Sequence, residues 1–191
     1  MPLSFPLVAI HPETHDVVLE LVYASPNNVA GRPLYGRALC LLHRDADECL
    51  RRAVQIAAAR GYRLKIFDGF RPHEAQVLLW NSAPDKAYVA DPDIGSNHTR
   101  GTAIDLTLVD AHGGELDMGT GFDDMSSLSH HANDQVSPHA QANRSLLLGI
   151  MQEAGFEPIA HEWWHYALPM HPDHDLIDSA WLGNLNPMHP D

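Results

Sequence analysis

A carboxylate set inside an apolar strand constrains this chain more than any other feature. After Gly101, the residues Ala103, Asp105 and Thr107 alternate with Ile104, Leu106 and Leu108. That period of two predicts a strand with Asp105 on one face and aliphatic side chains on the other. A charge in such a place needs a cation, a metal ion or several hydrogen-bond donors. Arg100 offers a simple salt bridge. His98, on the far side of the Gly101 turn, offers an imidazole that could share a metal ion with the carboxylate.

A second cluster, His161-Glu-Trp-Trp-His165, adds two imidazoles and one carboxylate. Zinc takes such ligands, and catalytic zinc sites commonly draw three from the protein. The ion makes a bound water nucleophilic near neutral pH and polarises a scissile carbonyl. A neighbouring carboxylate can carry the proton from the water to the leaving amine. Spacing allows two arrangements. In the first, His161 and His165 share one helical face with Glu162 as base, the His-Glu-x-x-His pattern of many zinc proteases. Its extended form needs a glycine and then a third histidine. Here Leu168 stands at the glycine position, ahead of Pro169, and His171 at the histidine position. Leucine reaches the required positive φ less readily than glycine. In the second arrangement His98, Asp105 and His165 hold the ion, Glu162 is again the base, and His161 is not a ligand. The residues by themselves leave both open.

The rest of the chain alternates strand and helix signals. Residues 16–24 are rich in β-branched side chains and predict a strand. Tyr35 follows in a loop, where it either supports the structure or lines a pocket. Ala46, Cys49, Leu50, Ala53, Val54 and Ala57 recur with helical period, predicting a helix over 44–60 that Gly61 stops. Tyr62, Leu64 and Ile66 form a half-buried strand that runs into Asp68-Gly-Phe-Arg-Pro72. Arg71 thus sits at a strand end, where loops carry function. Pro72 opens a helix over 73–81. Residues 82–97 read as loop. Glu115 to Met118 are expected to return beside the central strand, and the loop from Gly119 to Ser137 is expected to leave His130 and His131 in solvent. A helix over 138–154 ends at Gly155. Trp163 and Trp164 are expected in the core. After Pro169 the chain is expected to wrap irregularly, packing through Ile177 and Trp181. No repeat or linker divides it, so one domain over residues 1–191 is expected.

Charge excludes several functions. The formal net charge is -13 in 191 residues. With no cationic excess there is little counterion release to drive nucleic-acid binding, and an anionic membrane surface would repel the chain. The N-terminal residues lack a leader pattern, and no apolar run reaches membrane-spanning length. A cytoplasmic location is expected. Cys40 and Cys49 are expected as buried free thiols. The fourteen histidines are scattered rather than gathered in a tag.

Several ordered motifs resemble those of the zinc D-alanyl-D-alanine dipeptidase family. They are Ser96-x-His98-x-x-Gly101-x-Ala103-x-Asp105 and Glu162-x-x-His165, with Asp68-Gly-Phe-Arg71-Pro72, Met118-Gly-x-Gly-Phe-Asp123 and Asn143-Arg144. The short interval from Arg71 to His98 is similar to the shorter bacterial housekeeping form rather than the vancomycin-resistance members. The resemblance implies one zinc ion per chain on His98, Asp105 and His165, with Glu162 as general base and acid. It implies that Arg71 steadies the developing oxyanion, and that Ser96 and Asp123 lie near the free amino group of a D-dipeptide. Tyr35 joins them as a candidate substrate contact. The implied fold is α+β, a central, mainly antiparallel sheet with flanking helices and the zinc site at the sheet. The implied reaction is hydrolysis of D-Ala-D-Ala to two D-alanines. A D,D- or L,D-carboxypeptidase with the same site, and a zinc-stabilised binding module without catalysis, are the alternatives.

Overall fold

The computed structural model describes residues 6–190. The first five residues, on which the reading of a leader pattern falls, lie outside the described residues. Among the described residues, seven strands and four α-helices form an α+β fold. They are β1 Leu7–Ala9, α1 Pro12–His15, β2 Val18–Leu19, β3 Leu41–His43, α2 Arg44–Ala59, β4 Arg63–Asp68, α3 His73–Ser82, β5 Ala103–Val109, α4 Pro138–Ala154, β6 Glu157–Ile159 and β7 Glu162–Ala167. Five strands form one sheet in the order β2-β4-β5-β7-β6, and β1 pairs separately with β3. Within the larger sheet only β2 runs parallel to its neighbour.

β5 lies at the centre and is buried on both faces. Its aliphatic face, Ile104, Leu106 and Leu108, joins Leu64 and Ile66 of β4. Against them pack Leu50, Ala53 and Ala57 of α2 and Leu147, Ile150 and Met151 of α4. The small residues of α2 let the helix approach the sheet closely. The opposite face of β5 carries Asp105 and is left for the site.

Both long helices end where local chemistry stops them. The Ser137 hydroxyl accepts the Ala140 amide and Pro138 opens the first turn of α4. Gly155 closes that helix at φ 105°, a left-handed conformation that favours glycine. The His43 side chain caps α2 by accepting the Asp45 amide, and Asp45 and Asp47 lie in the first turn, where the helix dipole favours negative charge.

Some expected elements differ. The strand expected over 16–24 shrinks to Val18–Leu19. Asp16 turns at φ 51°, and Val22–Ala24 coil into a 3-10 turn that directs Tyr23 into the core. Glu115 makes only an isolated bridge to Val109. Trp181 is 76% exposed, so Ile177 alone of the expected pair packs the tail down. His130 and His131 are half-buried rather than solvated: the Tyr88 hydroxyl meets His130 Nε2 at 3.0 Å. Among the described residues no helix is long and apolar enough to cross a membrane. Cys40 and Cys49 are buried and unpaired.

Candidate metal centre and active site

Two backbone irregularities aim side chains into one cavity. In the pairing of β4 with β5 the register shifts between Ile66 and Asp68, which brings Asp68 opposite Asp105. In the pairing of β6 with β7 it shifts between Pro158 and Ile159, so that Ile159 meets Glu162 while Pro158 meets Tyr166. Residues three apart on a regular strand point to opposite faces. The bulge turns Glu162 and His165 toward the same space, with Glu162 Oε2 3.9 Å from His165 Nδ1.

His98, Asp105 and His165 converge there. The three candidate ligand atoms lie within 4.8 Å of one another and all three residues are buried. His98 Nε2 is 3.2 Å from His165 Nδ1 and 3.3 Å from one Asp105 oxygen. His165 Nδ1 is 3.0 Å from the other. The remaining nitrogen of His98 is committed elsewhere: Nδ1–H donates to the Gly69 carbonyl at 2.7 Å. That bond fixes the tautomer and leaves Nε2 as a free ligand, a common arrangement around metal-binding histidines. It depends on Gly69, where an added Cβ would lie 2.7 Å from the Leu41 carbonyl oxygen. Arg100 does not reach Asp105. It donates to the His174 carbonyl at 2.7 Å, so the simple salt bridge that Arg100 offered to Asp105 does not form.

Residues 162–167 form a strand, not a helix. The helical His-Glu-x-x-His arrangement is therefore excluded, because His161 and His165 do not share a helical face. His161 lies at the cavity wall beside Glu162, its Nε2 3.8 Å from Glu162 Oε1, and His171 is exposed.

The cavity has a volume of about 350 Å³ and is lined by Arg71, Ser96, His98, Asp105, Asp123, Glu162 and His165 among others. Arg71 is buried, with Nε donating to Asp68 at 2.9 Å and Nη1 to Gln76 at 3.0 Å. Its guanidinium lies 4.8 Å from the Tyr23 ring centre. The Ser96 hydroxyl oxygen accepts the His98 amide at 3.1 Å, which leaves its own proton free for a ligand. Asp123 accepts the Tyr23 hydroxyl on one oxygen at 2.9 Å. Its other oxygen is buried without a partner.

Tyr35 is not on the cavity wall. It lies behind Asp68, to which its hydroxyl donates at 2.7 Å, and the tyrosines that line the cavity are Tyr23 and Tyr88. The expected substrate contact by Tyr35 is thus corrected to support of Asp68. Trp163 is buried and donates from Nε1 to the Thr120 hydroxyl at 2.8 Å, whereas Trp164 also reaches the cavity. Asp68, Tyr23 and Gln76 were not legible as site residues. Asp68 stood in a recognisable motif; Tyr23 and Gln76 carried no signal of their own.

Arg144 shows why Asn143-Arg144 accompanies the other motifs. Fully buried, it donates to the carbonyls of Met118, Leu128 and His130, while Asn143 donates to that of Asp117. These bonds hold the loop that carries Asp123.

Burial sets the electrostatics. It pushes the Glu162 carboxyl up to about 8, with His165 opposing and Asp105 adding to the rise. It pushes Asp123 up to about 7 against the Tyr23 hydrogen bond. Asp105 moves the other way: burial is outweighed by the charge of His98 and hydrogen bonds from both imidazoles, which hold its carboxyl below the usual range.

Three buried N and O donors around one point, with an acid–base carboxylate alongside, define a candidate hydrolytic metal centre. Sequence relatives agree with that class. The family model described as D-ala-D-ala dipeptidase matches residues 5–181. A D-alanyl-D-alanine dipeptidase of Escherichia coli (strain K12) is 49% identical over 172 residues, covering 90% of this chain and 89% of that protein. One from Enterococcus faecium is 36% identical over 182 residues, covering 83% and 89%. A solved vancomycin-resistance D,D-dipeptidase, in complex with a D-Ala-D-Ala phosphinate analogue, aligns with TM-score 0.41 at 16% identity, covering 93% of this chain and 71% of that one. The chain belongs to the D-ala-D-ala dipeptidase family, a family of metallopeptidases.

Proposed function

We propose that this chain hydrolyses D-alanyl-D-alanine to two D-alanines with one zinc ion in this site. Family membership supports the reaction class. The observation that carries the substrate reading is the unpartnered, buried oxygen of Asp123 in the same cavity as His98, Asp105 and His165. A buried acceptor without a partner is costly, and a free ammonium group would satisfy it. A cavity of about 350 Å³ suits a small ligand.

The donor set fits zinc. Two imidazoles and a carboxylate suit a borderline transition ion better than magnesium or calcium. His98, Asp105 and His165 would hold the ion, which when bound supplies an acidified water and polarises the scissile carbonyl. Glu162 takes a proton from the attacking water and delivers it to the departing amine. Arg71, fixed by Asp68 and Gln76, offers positive charge to the oxyanion that develops on the carbonyl oxygen. Asp123 pairs with the substrate ammonium, and Ser96 lies beside that group. The Glu162 carboxyl, high without an ion, falls toward its charged form when a dication stands near. A cytoplasmic location agrees with the free thiols of Cys40 and Cys49.

The test is hydrolysis of D-Ala-D-Ala after chelation and after zinc is restored, beside the same dipeptide with its amino group blocked. Activity that zinc restores on the free dipeptide alone is expected. Faster cleavage of the blocked dipeptide would favour a carboxypeptidase and overturn the reading of Asp123.

A further inference from the structure

A second set of metal-ligand side chains lies outside this cavity. It joins three parts of the chain: His43 at the end of β3, Asp45 in the first turn of α2, and His174 in the C-terminal segment. His174 Nε2 is 2.9 Å from Asp45 Oδ2, and His43 Nδ1 is 3.5 Å from the same oxygen. The two imidazole rings meet edge to face with centres 4.8 Å apart. All three candidate ligand atoms lie within 4.8 Å of one another, as they do for His98, Asp105 and His165. We propose that His43, Asp45 and His174 bind a second divalent transition ion of the zinc type, in a structural site separate from the catalytic centre.

Distance and chemistry both support this. Zinc bonds of about 2.0–2.1 Å in a tetrahedron set ligand atoms roughly 3.3 Å apart. The contacts of 2.9 and 3.5 Å bracket that value. The catalytic set has a similar spread, 3.0 to 3.3 Å. Two imidazoles with one carboxylate select zinc-like ions over calcium or magnesium. Both imidazole side chains are largely buried, whereas Asp45 is 52% exposed, so a solvent ligand can complete the shell on that side.

A plainer reading makes these residues a helix cap with an ion pair. His43 Nδ1 accepts the Asp45 amide at 3.2 Å. That bond is long, and an ion would take over the lone pair it uses. The cap does not account for two imidazoles converging on one carboxylate oxygen. Nor does it account for how firmly their backbones are held. His43 N–H donates to the Gly101 carbonyl at 2.8 Å, Ile177 N–H to the Thr99 carbonyl at 3.0 Å, and Arg100 to the His174 carbonyl at 2.7 Å. Gly101 permits this approach, since an added Cβ would come within 3.0 Å of the His43 nitrogen and 2.6 Å of Leu7. The second ion therefore clamps the C-terminal segment and the start of α2 around the loop that carries His98.

The test is zinc stoichiometry. Chelator-stripped protein is equilibrated with Zn²⁺, freed of excess by buffer exchange and analysed by mass spectrometry of the metal, with circular dichroism to verify folding. The intact chain is expected to retain two equivalents. His174→Ala and Asp45→Asn should each retain one, as should His98→Ala, and the His98→Ala/His174→Ala double variant none. Asp45→Asn keeps side-chain size and serves if His174→Ala fails to fold. One equivalent in the intact chain, lost in His98→Ala, would overturn the second site while leaving the catalytic one standing. Two equivalents in both His174→Ala and Asp45→Asn would assign the extra zinc to scattered surface histidines and overturn it equally.

Discussion

Asp68 lies opposite Asp105 on neighbouring antiparallel strands, and one buried guanidinium, that of Arg71, serves both. Its Nη2 is 2.8 Å from Asp68 and 3.5 Å from Asp105. The shorter contact fixes Arg71, and the longer one leaves Asp105 available to a metal ion. Removing the guanidinium strands Asp68. We predict that Arg71→Met lowers stability by about 3–5 kcal/mol, the usual cost of breaking a buried ion pair. We also expect kcat to fall about a hundredfold to a thousandfold from loss of oxyanion stabilisation. Urea unfolding and steady-state kinetics on the same preparation check both. A stability loss under about 1 kcal/mol would mean that Asp68 needs no cation.

Tyr35 acts at one remove from the cavity, through Asp68. Tyr35→Phe is expected to cost about 1 kcal/mol of stability, one ordinary hydrogen bond. It should lower kcat by misplacing Arg71 while leaving KM and bound zinc unchanged. A rise in KM at constant kcat would instead put Tyr35 in contact with the dipeptide.

Asp123 should impose an acid limb on kcat/KM. Burial pushes its carboxyl up to about 7, so below that pH the group is neutral and cannot pair with an ammonium ion. Its effect on stability has the opposite sign. The folded state holds the proton more tightly than the unfolded chain, so this contribution to stability is full at low pH. It is lost as pH rises from the usual carboxylate range toward 7. Asp123→Asn should lower kcat/KM at every pH, remove the acid limb, and flatten that part of the stability profile. An unchanged limb in the variant would assign it to another group.

Glu162 and His161 are neighbours with different expected roles. Glu162→Gln should bind zinc normally and lose about a hundredfold to ten-thousandfold in kcat, the range for general acid–base catalysis. His161→Ala should keep both its zinc at the catalytic site and most of its turnover. Metal analysis beside the dipeptide assay separates the two. Loss of catalytic-site zinc in His161→Ala, with retention in His98→Ala, would reverse the ligand assignment.

The long helices could be read from the sequence because their determinants are local. The apolar period of α2, Pro138 at the start of α4 and Gly155 at its end all act within a few residues. The alternation around Asp105 likewise marked β5 and its odd carboxylate. The failures fell where distant contacts override local preference. Residues 16–24 looked like one strand, but the burial of Tyr23 breaks the segment after Leu19. Trp181 looked like a core residue, but the tail leaves it exposed.

The sequence alone determined that a buried carboxylate would need a cation, and it supplied the imidazoles that could share one. It left His161 and His98 as rival ligands, because spacing does not reveal whether residues 161–165 coil or extend. The tertiary structure decided between those geometries. β7 is extended by pairing with β5 on one side, and its bulge against β6 turns Glu162 and His165 into the same cavity. The same long-range packing moved Tyr35 behind Asp68 and brought His174 to His43 and Asp45. Each of these depends on contacts between residues far apart in the chain, which no local pattern encodes.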